Sequence, residues 1–223
     1  MNAANAYYAQ KLSAHRLDRV YTIARPRVRQ YLQAEMDHVQ AAIRPGDRVL
    51  ELGCGTGRVL AHVARDAGMA WGVDTAFASV ALARLRYPDL GWAVMDAARL
   101  GFPPGCFDLV IGVQNFISAC KVPPEDLVRE SLRVTRPGGR VLLSSYAEAF
   151  WPHRLEWFRD QADEGLLGAI DKDATGNGVI VGQDGFRATT FSPEDFADLA
   201  RRLGADVDVY EIDRSSVFCQ IIK

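Results

Sequence analysis

The spacing of apolar positions changes twice along this chain. Over the first 45 residues they recur at steps of three and four. Leu17, Val20, Tyr21 and Ala24 share one face, and Val28, Leu32, Met36, Val39 and Ile43 form a second stripe. That period predicts amphipathic helices. Ser13 is placed to cap the first, and Pro26 to open the second, where its missing N–H is harmless. Arg44-Pro-Gly-Asp47 ends the stripe. From Arg48 the pattern becomes short apolar runs, at 48–52, 70–74, 91–95, 107–113 and 139–146. Helical periodicity separates them at about 57–67, 76–86 and 124–135. Such alternation predicts a parallel sheet covered on both faces, with right-handed crossovers. Pro137-Gly138-Gly139 reads as a stop before the fifth strand.

The pattern changes again after Ser145. Residues 148–166 read as an aromatic-rich helix, and Gly178–Phe191 as a hairpin turning at Asp184-Gly185. Ser192-Pro-Glu-Asp195 is a capping box, so a helix should run to about Leu203. Two further strands, 207–212 and 216–222, are joined around Asp213-Arg214. A turn that short fits only an antiparallel pair. The expected fold class is α/β: a Rossmann-like, doubly wound, seven-stranded sheet, mostly parallel with an antiparallel last strand. One domain of 223 residues would divide into N-terminal helices (1–45), a core (46–146), an insertion (147–191) and a C-terminal helix with hairpin (192–223).

Composition changes this picture little. Hydrophobic content of 48% and charged content of 24% belong to an ordinary globular domain. A net charge of −2 argues against a protein devoted to nucleic acid. Cys54, Cys106, Cys120 and Cys219 show neither C-x-x-C nor metal spacing, which reads as free thiols in a reducing cytosol and no metal site. No signal-peptide pattern opens the chain, and no apolar run is long enough to span a bilayer. The expected location is cytoplasmic.

The chemistry concentrates where strands end. Val49-Leu-Glu-Leu-Gly-Cys-Gly-Thr-Gly-Arg58 stops an apolar run at Glu51 and places glycines at 53, 55 and 57 around Cys54. Glycine admits positive φ and close approach of a ligand, so a strand–glycine turn–helix is a nucleotide cradle. The spacing is G-x-G-x-G, not the G-x-G-x-x-G of dinucleotide sites, which counts against a nicotinamide dehydrogenase. Asp74 and Thr75 end the second run and Asp96 and Ala97 the third. Each acid alone reads equally well as a helix cap or turn residue. Together, at the edge where open α/β sheets bind ligands, they read as a site, with the carboxylate after strand two placed for a ribose diol.

These motifs resemble the class I S-adenosylmethionine-dependent methyltransferases. The resemblance is to the small-molecule group that includes the ubiquinone and menaquinone biosynthesis enzymes, and it covers roughly residues 46–145. It rests on the glycine loop, on Gly72-Val-Asp74, on Asp96 through Val110, and on Arg133-Val-Thr-Arg-Pro-Gly-Gly-Arg-Val-Leu-Leu143. It implies S-adenosylmethionine as cofactor. Gly53, Cys54, Gly55 and Gly57 would lie under its methionine part, with Glu51 orienting the amino end. Asp74 would bind the ribose, Asp96 and Ala97 the adenine, and residues 112–114, Gln114 among them, would line the sulfonium side. Strand four continues Gly-Val-Gln-Asn-Phe-Ile and lacks the Asn/Asp-Pro-Pro-Tyr/Phe tetrapeptide that enzymes methylating DNA amino groups use, which counts against a flipped base.

The resemblance leaves the methyl acceptor to residues 1–45 and 147–191. Tyr7, Tyr8 and Tyr21 are candidates for a lid; Arg25, Arg27 and Arg29 for meeting an anionic group; Trp151, His153, Trp157 and Phe158 for a pocket wall. His15 and Tyr146 are further candidates. Aromatics at helical spacing also read simply as core. The leading expectation is methyl transfer to a small molecule. The alternatives are a tRNA or protein substrate, or a cofactor-binding protein without catalysis. The acceptor atom, any general base and the oligomeric state stay open.

Overall fold

A computed structural model describes residues 6–223; the first five residues of the predicted N-terminal helices, with part of the stretch read for a leader, lie outside the described residues. Helices α1 (Ala6–Lys11), α2 (His15–Thr22) and α3 (Pro26–Ala42) precede β1 (Arg48–Leu52). The core continues through α4 (Arg58–Val63), β2 (Met69–Asp74), α5 (Phe77–Arg86), β3 (Gly91–Val94), β4 (Phe107–Gly112), a short α6 (Phe116–Ala119), α7 (Pro124–Val134) and β5 (Thr135–Tyr146). Then come α8 (Trp151–Asp163), two-residue strands β6 (Ile180–Val181) and β7 (Arg187–Ala188), α9 (Pro193–Leu203), β8 (Val207–Ile212) and β9 (Ser216–Ile222).

Seven strands form one sheet in the order β3-β2-β1-β4-β5-β9-β8. β1 to β5 pair in parallel, and β9 runs antiparallel between β5 and β8. Successive residues of a strand face opposite sides, and both sides are buried here. Leu50, Leu52 and Val110 pack under α7 and α9, whereas Val49, Leu109 and Ile111 pack under α4 and the second half of α3. The continuous apolar runs of the sequence follow from that double burial.

Four local expectations change. Ser13 does not cap α2; Ala14 holds the N-cap position at φ 51°, and its N–H donates to Ser79 Oγ at 2.9 Å. β5 begins at Thr135, ahead of the Pro-Gly-Gly segment, which forms a bulge: Phe107 pairs with Thr135 but Leu109 pairs with Arg140. A Cβ on Gly139 would lie 2.9 Å from the Asp108 carbonyl, so the segment hugs β4 instead of leaving the sheet. The predicted hairpin keeps its Asp184-Gly185 turn but pairs over only two residues per strand. Its Val181 and Gln183 bond instead to Asp171 and Ala169. The aromatic helix starts at Trp151 after a 3₁₀ turn and ends at Asp163. The capping box at Ser192 forms as expected.

A second core joins the N-terminal helices to the 147–191 segment. Leu12, Val20, Val28, Tyr31 and Leu32 from the N-terminal helices bury against Tyr146, Phe150, Trp157, Phe158 and Phe186. The N-terminal helices and the insertion therefore form one cover over the C-terminal edge of the sheet. Among the described residues no helix is long and apolar enough to cross a membrane.

Candidate functional site

One cleft runs along that edge. Its floor is Glu51 and residues 53–56 after β1, Val73 to Ala76 after β2, Met95 to Ala97 after β3, and Val113 to Phe116 after β4. Of the cofactor positions expected from the sequence, all but Gly57 and Gly112 line it; Gly57 opens α4 beside it and Gly112 ends β4. The glycine loop takes φ of 70°, 51° and 85° at Gly53, Gly55 and Gly57, the left-handed region that favours glycine. Close approach is just as binding a reason. A Cβ on Gly53 would sit 2.2 Å from the Phe116 ring, and one on Gly55 would sit 2.7 Å from Leu17 of α2.

Asp74 serves two neighbours. One carboxylate oxygen accepts from Gly55 N–H at 2.9 Å and the other from Ala76 N–H at 2.8 Å. It thus pins the glycine loop and starts α5. A carboxylate offers about four acceptor directions, so capacity for two hydroxyl donors remains. Burial raises its pKa, against the backbone N–H donations that lower it. Asp96 accepts from Ala98 N–H at 3.0 Å, which shapes the turn holding Ala97. Glu51 is 3% exposed and accepts from Leu60 N–H at 2.9 Å, anchoring α4. Burial pushes its carboxyl up to about 8. Cys54 is a buried thiol whose pKa burial raises well above the ordinary value.

The turn after β4 carries backbone strain. Gln114 and Asn115 both adopt left-handed conformations, at φ 56° and 65°. Such strain persists where the surroundings over-determine it. Gln114 N–H is shared between Glu35 Oε2 at 2.7 Å and Ser144 Oγ at 2.9 Å, and its side-chain oxygen accepts from Arg58 at 2.5 Å. Asn115 accepts from Ser145 Oγ and donates to the Thr189 carbonyl. Glu35 is fully buried, and burial pushes its carboxyl up to about 7. Arg58 also stacks 4.1 Å over the Tyr21 ring.

Beyond this turn the cleft continues into an apolar, tyrosine-rich chamber. Tyr8, Tyr21, Tyr31, Tyr146, Trp157 and Phe158 line it. The other substrate-side candidates lie elsewhere. His153 is exposed, its ring 5.9 Å from Phe150, because it sits on the solvent side of α8; Trp151 does not reach the cleft. His15 is exposed beside Asp18. Tyr7 donates to Asp184 at 2.6 Å on the outer side of the cover. The three arginines are taken up by other groups: Arg25 by Asp160 and Glu156, Arg27 by Asp213, and Arg29 by the Ala24 carbonyl. An anion in the cleft therefore does not meet them.

Asp18, Glu35, Arg58, Arg154 and Gln161 line the cleft or pack around it and are not among the positions expected from the sequence. Asp18 on α2 accepts from Thr56 of the glycine loop at 2.7 Å and pairs with Arg86 of α5 at 2.6 Å, latching the cover to the core. Two of the five left a signal. Arg154 is a charge at four-residue spacing between Phe150 and Phe158, and Glu35 is an acid inside the apolar stripe of α3.

The strand order, the antiparallel β9 and the glycine loop at the β1 edge are those of the class I S-adenosylmethionine-dependent methyltransferase fold. Residues 49–139 match the family model described as a methyltransferase domain. A demethylmenaquinone methyltransferase of Beutenbergia cavernae is 37% identical over 126 residues, 55% of this chain and 50% of that protein. A ubiquinone/menaquinone biosynthesis C-methyltransferase of Cupriavidus metallidurans is 31% identical over 156 residues, 66% of this chain and 55% of that protein. The chain thus spans about half the length of these curated relatives. A Thermotoga maritima structure, described as an S-adenosylmethionine-dependent methyltransferase and possible histamine N-methyltransferase, superposes with a TM-score of 0.67. It is 16% identical and covers 99% of both chains.

Proposed function

We propose that this protein is a cytoplasmic methyltransferase that moves a methyl group from S-adenosylmethionine to a small-molecule acceptor by in-line displacement. The observation that carries this reading is the continuity of the cleft, from the glycine loop and the Asp74 and Asp96 edges, past the strained Gln114 turn, into a chamber lined by tyrosines. S-adenosylmethionine supplies an activated methyl on a sulfonium and leaves as S-adenosylhomocysteine. The chain's own residues bind, orient and exclude water. Gly53 to Gly57 admit the amino-acid part, Asp74 accepts from the ribose hydroxyls, and Asp96 with Ala97 N–H brackets the adenine edge. Gln114 and the chamber tyrosines line the path between donor and acceptor, and aromatic faces favour the positive charge there. The cover of α1, α2 and the 180–188 hairpin keeps water from the nucleophile.

The curated relatives are named for quinone biosynthesis, and the family match lies in the cofactor core. The acceptor is therefore read from the chamber and not inherited from those names. Binding of S-adenosylhomocysteine by calorimetry, together with methyl transfer to a small-molecule panel, tests the reading. Absence of saturable binding refutes it.

A further inference from the structure

Arg154 is the unexplained charge of this molecule. It is 0% exposed in the first turn of α8, and among the described residues no carboxylate lies within ion-pair distance of it. Its guanidinium donates to the Gly178 carbonyl at 2.8 Å and the Thr189 carbonyl at 3.3 Å, and its Nε has no partner. Aromatic faces surround it, with Tyr146 at 4.5 Å, Phe158 at 5.6 Å and Trp151 at 5.7 Å. Carbonyls and ring faces only partly replace water around a cation. Buried charges are ordinarily paired, and one left unpaired is costly.

Arg154 itself does not line the cleft; it lies behind Tyr146, which does, and hydroxyl and amide donors gather on the cleft side. The Tyr31 hydroxyl is buried with only the Tyr146 hydroxyl to turn to, at a geometry short of a well-formed hydrogen bond. Tyr8, Tyr146 and the 2%-exposed Gln161 line the cleft, and the Tyr31 hydroxyl is directed at that of Tyr146, which leaves the Tyr146 proton and the Tyr8 and Gln161 side chains free to donate. Arg154 lies against the Tyr146 ring, and Tyr8 and Tyr31 pack in the same cluster as Tyr146. Lys121, half-buried between the cleft-lining Cys120 and Val122, has its pKa lowered by burial and by repulsion from Arg187 and Arg154. Glu35, the buried acid that faces Tyr31 and Tyr146, accepts from Gln114 N–H through one oxygen and keeps the other without a partner; it does not pair with Arg154.

We propose that the methyl acceptor carries an oxyanion, a carboxylate or ionised phenol or enol, on a compact apolar ring, and that this oxyanion sits among the Tyr8, Tyr31 and Tyr146 hydroxyls over Arg154. The inference rests on the cleft being a methyl-transfer site and adds the charge of its acceptor. Tyrosine hydroxyls donate to the oxyanion directly, and Arg154 acts behind the Tyr146 ring as a positioning residue. The apolar walls, Val20, Leu32, Trp157 and Ala188 among them, take the ring.

The test titrates the full chain, with and without saturating S-adenosylhomocysteine, with benzoate, benzamide and benzylamine, which share a ring and differ in charge. Benzoate should bind at least about tenfold tighter than benzamide, and benzylamine weakest. In Arg154→Met that preference should fall to about threefold or less, with S-adenosylhomocysteine affinity unchanged. Equal binding of benzoate and benzamide, tighter benzylamine, or no saturable benzoate binding by about 10 mM overturns the proposal. If Arg154 only clamps the 178 and 189 carbonyls, Arg154→Met melts earlier and the ranking persists, which also overturns it. Should that variant not fold, the wild-type ranking and its loss in Gln161→Leu and Tyr8→Phe decide. Failure to bind S-adenosylhomocysteine sinks the methyl-transfer reading separately, and the ranking without it still reports on the oxyanion site.

Discussion

Replacing Asp74 by alanine removes two things at once, and they are separable. The first is structural. Its two oxygens take Gly55 N–H at 2.9 Å and Ala76 N–H at 2.8 Å. Leaving such donors without an acceptor costs about 1–3 kcal/mol, and the lower end applies because the burial that raises the Asp74 pKa already offsets part of the gain. For a chain of this size that is a fall in Tm of about 2–4 °C. The second is binding. Two ribose hydroxyls donating to a carboxylate are worth roughly 1.5–3 kcal/mol each, so affinity for S-adenosylhomocysteine should drop about 10²–10⁴-fold. Asp74→Asn keeps one acceptor oxygen and should fall between. Calorimetry gives the affinity, and a thermal melt in parallel confirms that each variant is folded. A folded Asp74→Ala protein that binds within about threefold of wild type would falsify the ribose assignment and the placement of the cofactor that depends on it.

Three further outcomes follow from single contacts. Burial holds the Glu51 carboxyl at about 8, above its unfolded value, so the native state binds the extra proton and stability falls as pH rises from about 4.5 to 8. Glu51→Gln keeps an acceptor for Leu60 N–H and cannot ionise, so its Tm should decline less steeply over that window; the similar contribution of Glu35 persists in both proteins, and an unchanged slope counts against the assignment. Asp18→Ala unlatches α2 from Thr56 and Arg86, and should speed S-adenosylhomocysteine release about tenfold in stopped flow, with a small change in Tm because the ion pair is partly exposed. Ser192→Ala breaks the α9 capping box, costing about 1 kcal/mol, and should lower Tm without touching ligand affinity; a shift in affinity would mean that α9 is coupled to the cleft.

The sequence by itself determined the parts that local backbone chemistry controls. Glycines at 53, 55 and 57 were legible because left-handed turns and close approach demand them, and the strands because burial on two faces writes continuous apolar runs. The antiparallel end followed from the short turn at Asp213, and the capping box from its own four residues. What only the tertiary structure decided is the acceptor side. Periodicity shows that a helix has an apolar face but not what that face meets. Packing of the N-terminal helices against α8 and the end of β5 gathered Tyr8, Tyr31 and Tyr146 into one cluster, left His153 in solvent, and paired Arg25 with Asp160 and Arg27 with Asp213. It also brought Glu35 under Gln114, across 79 residues of chain. The physical reason is that a site made of contacts distant in sequence depends on which faces pack together, and that is settled by the whole core at once.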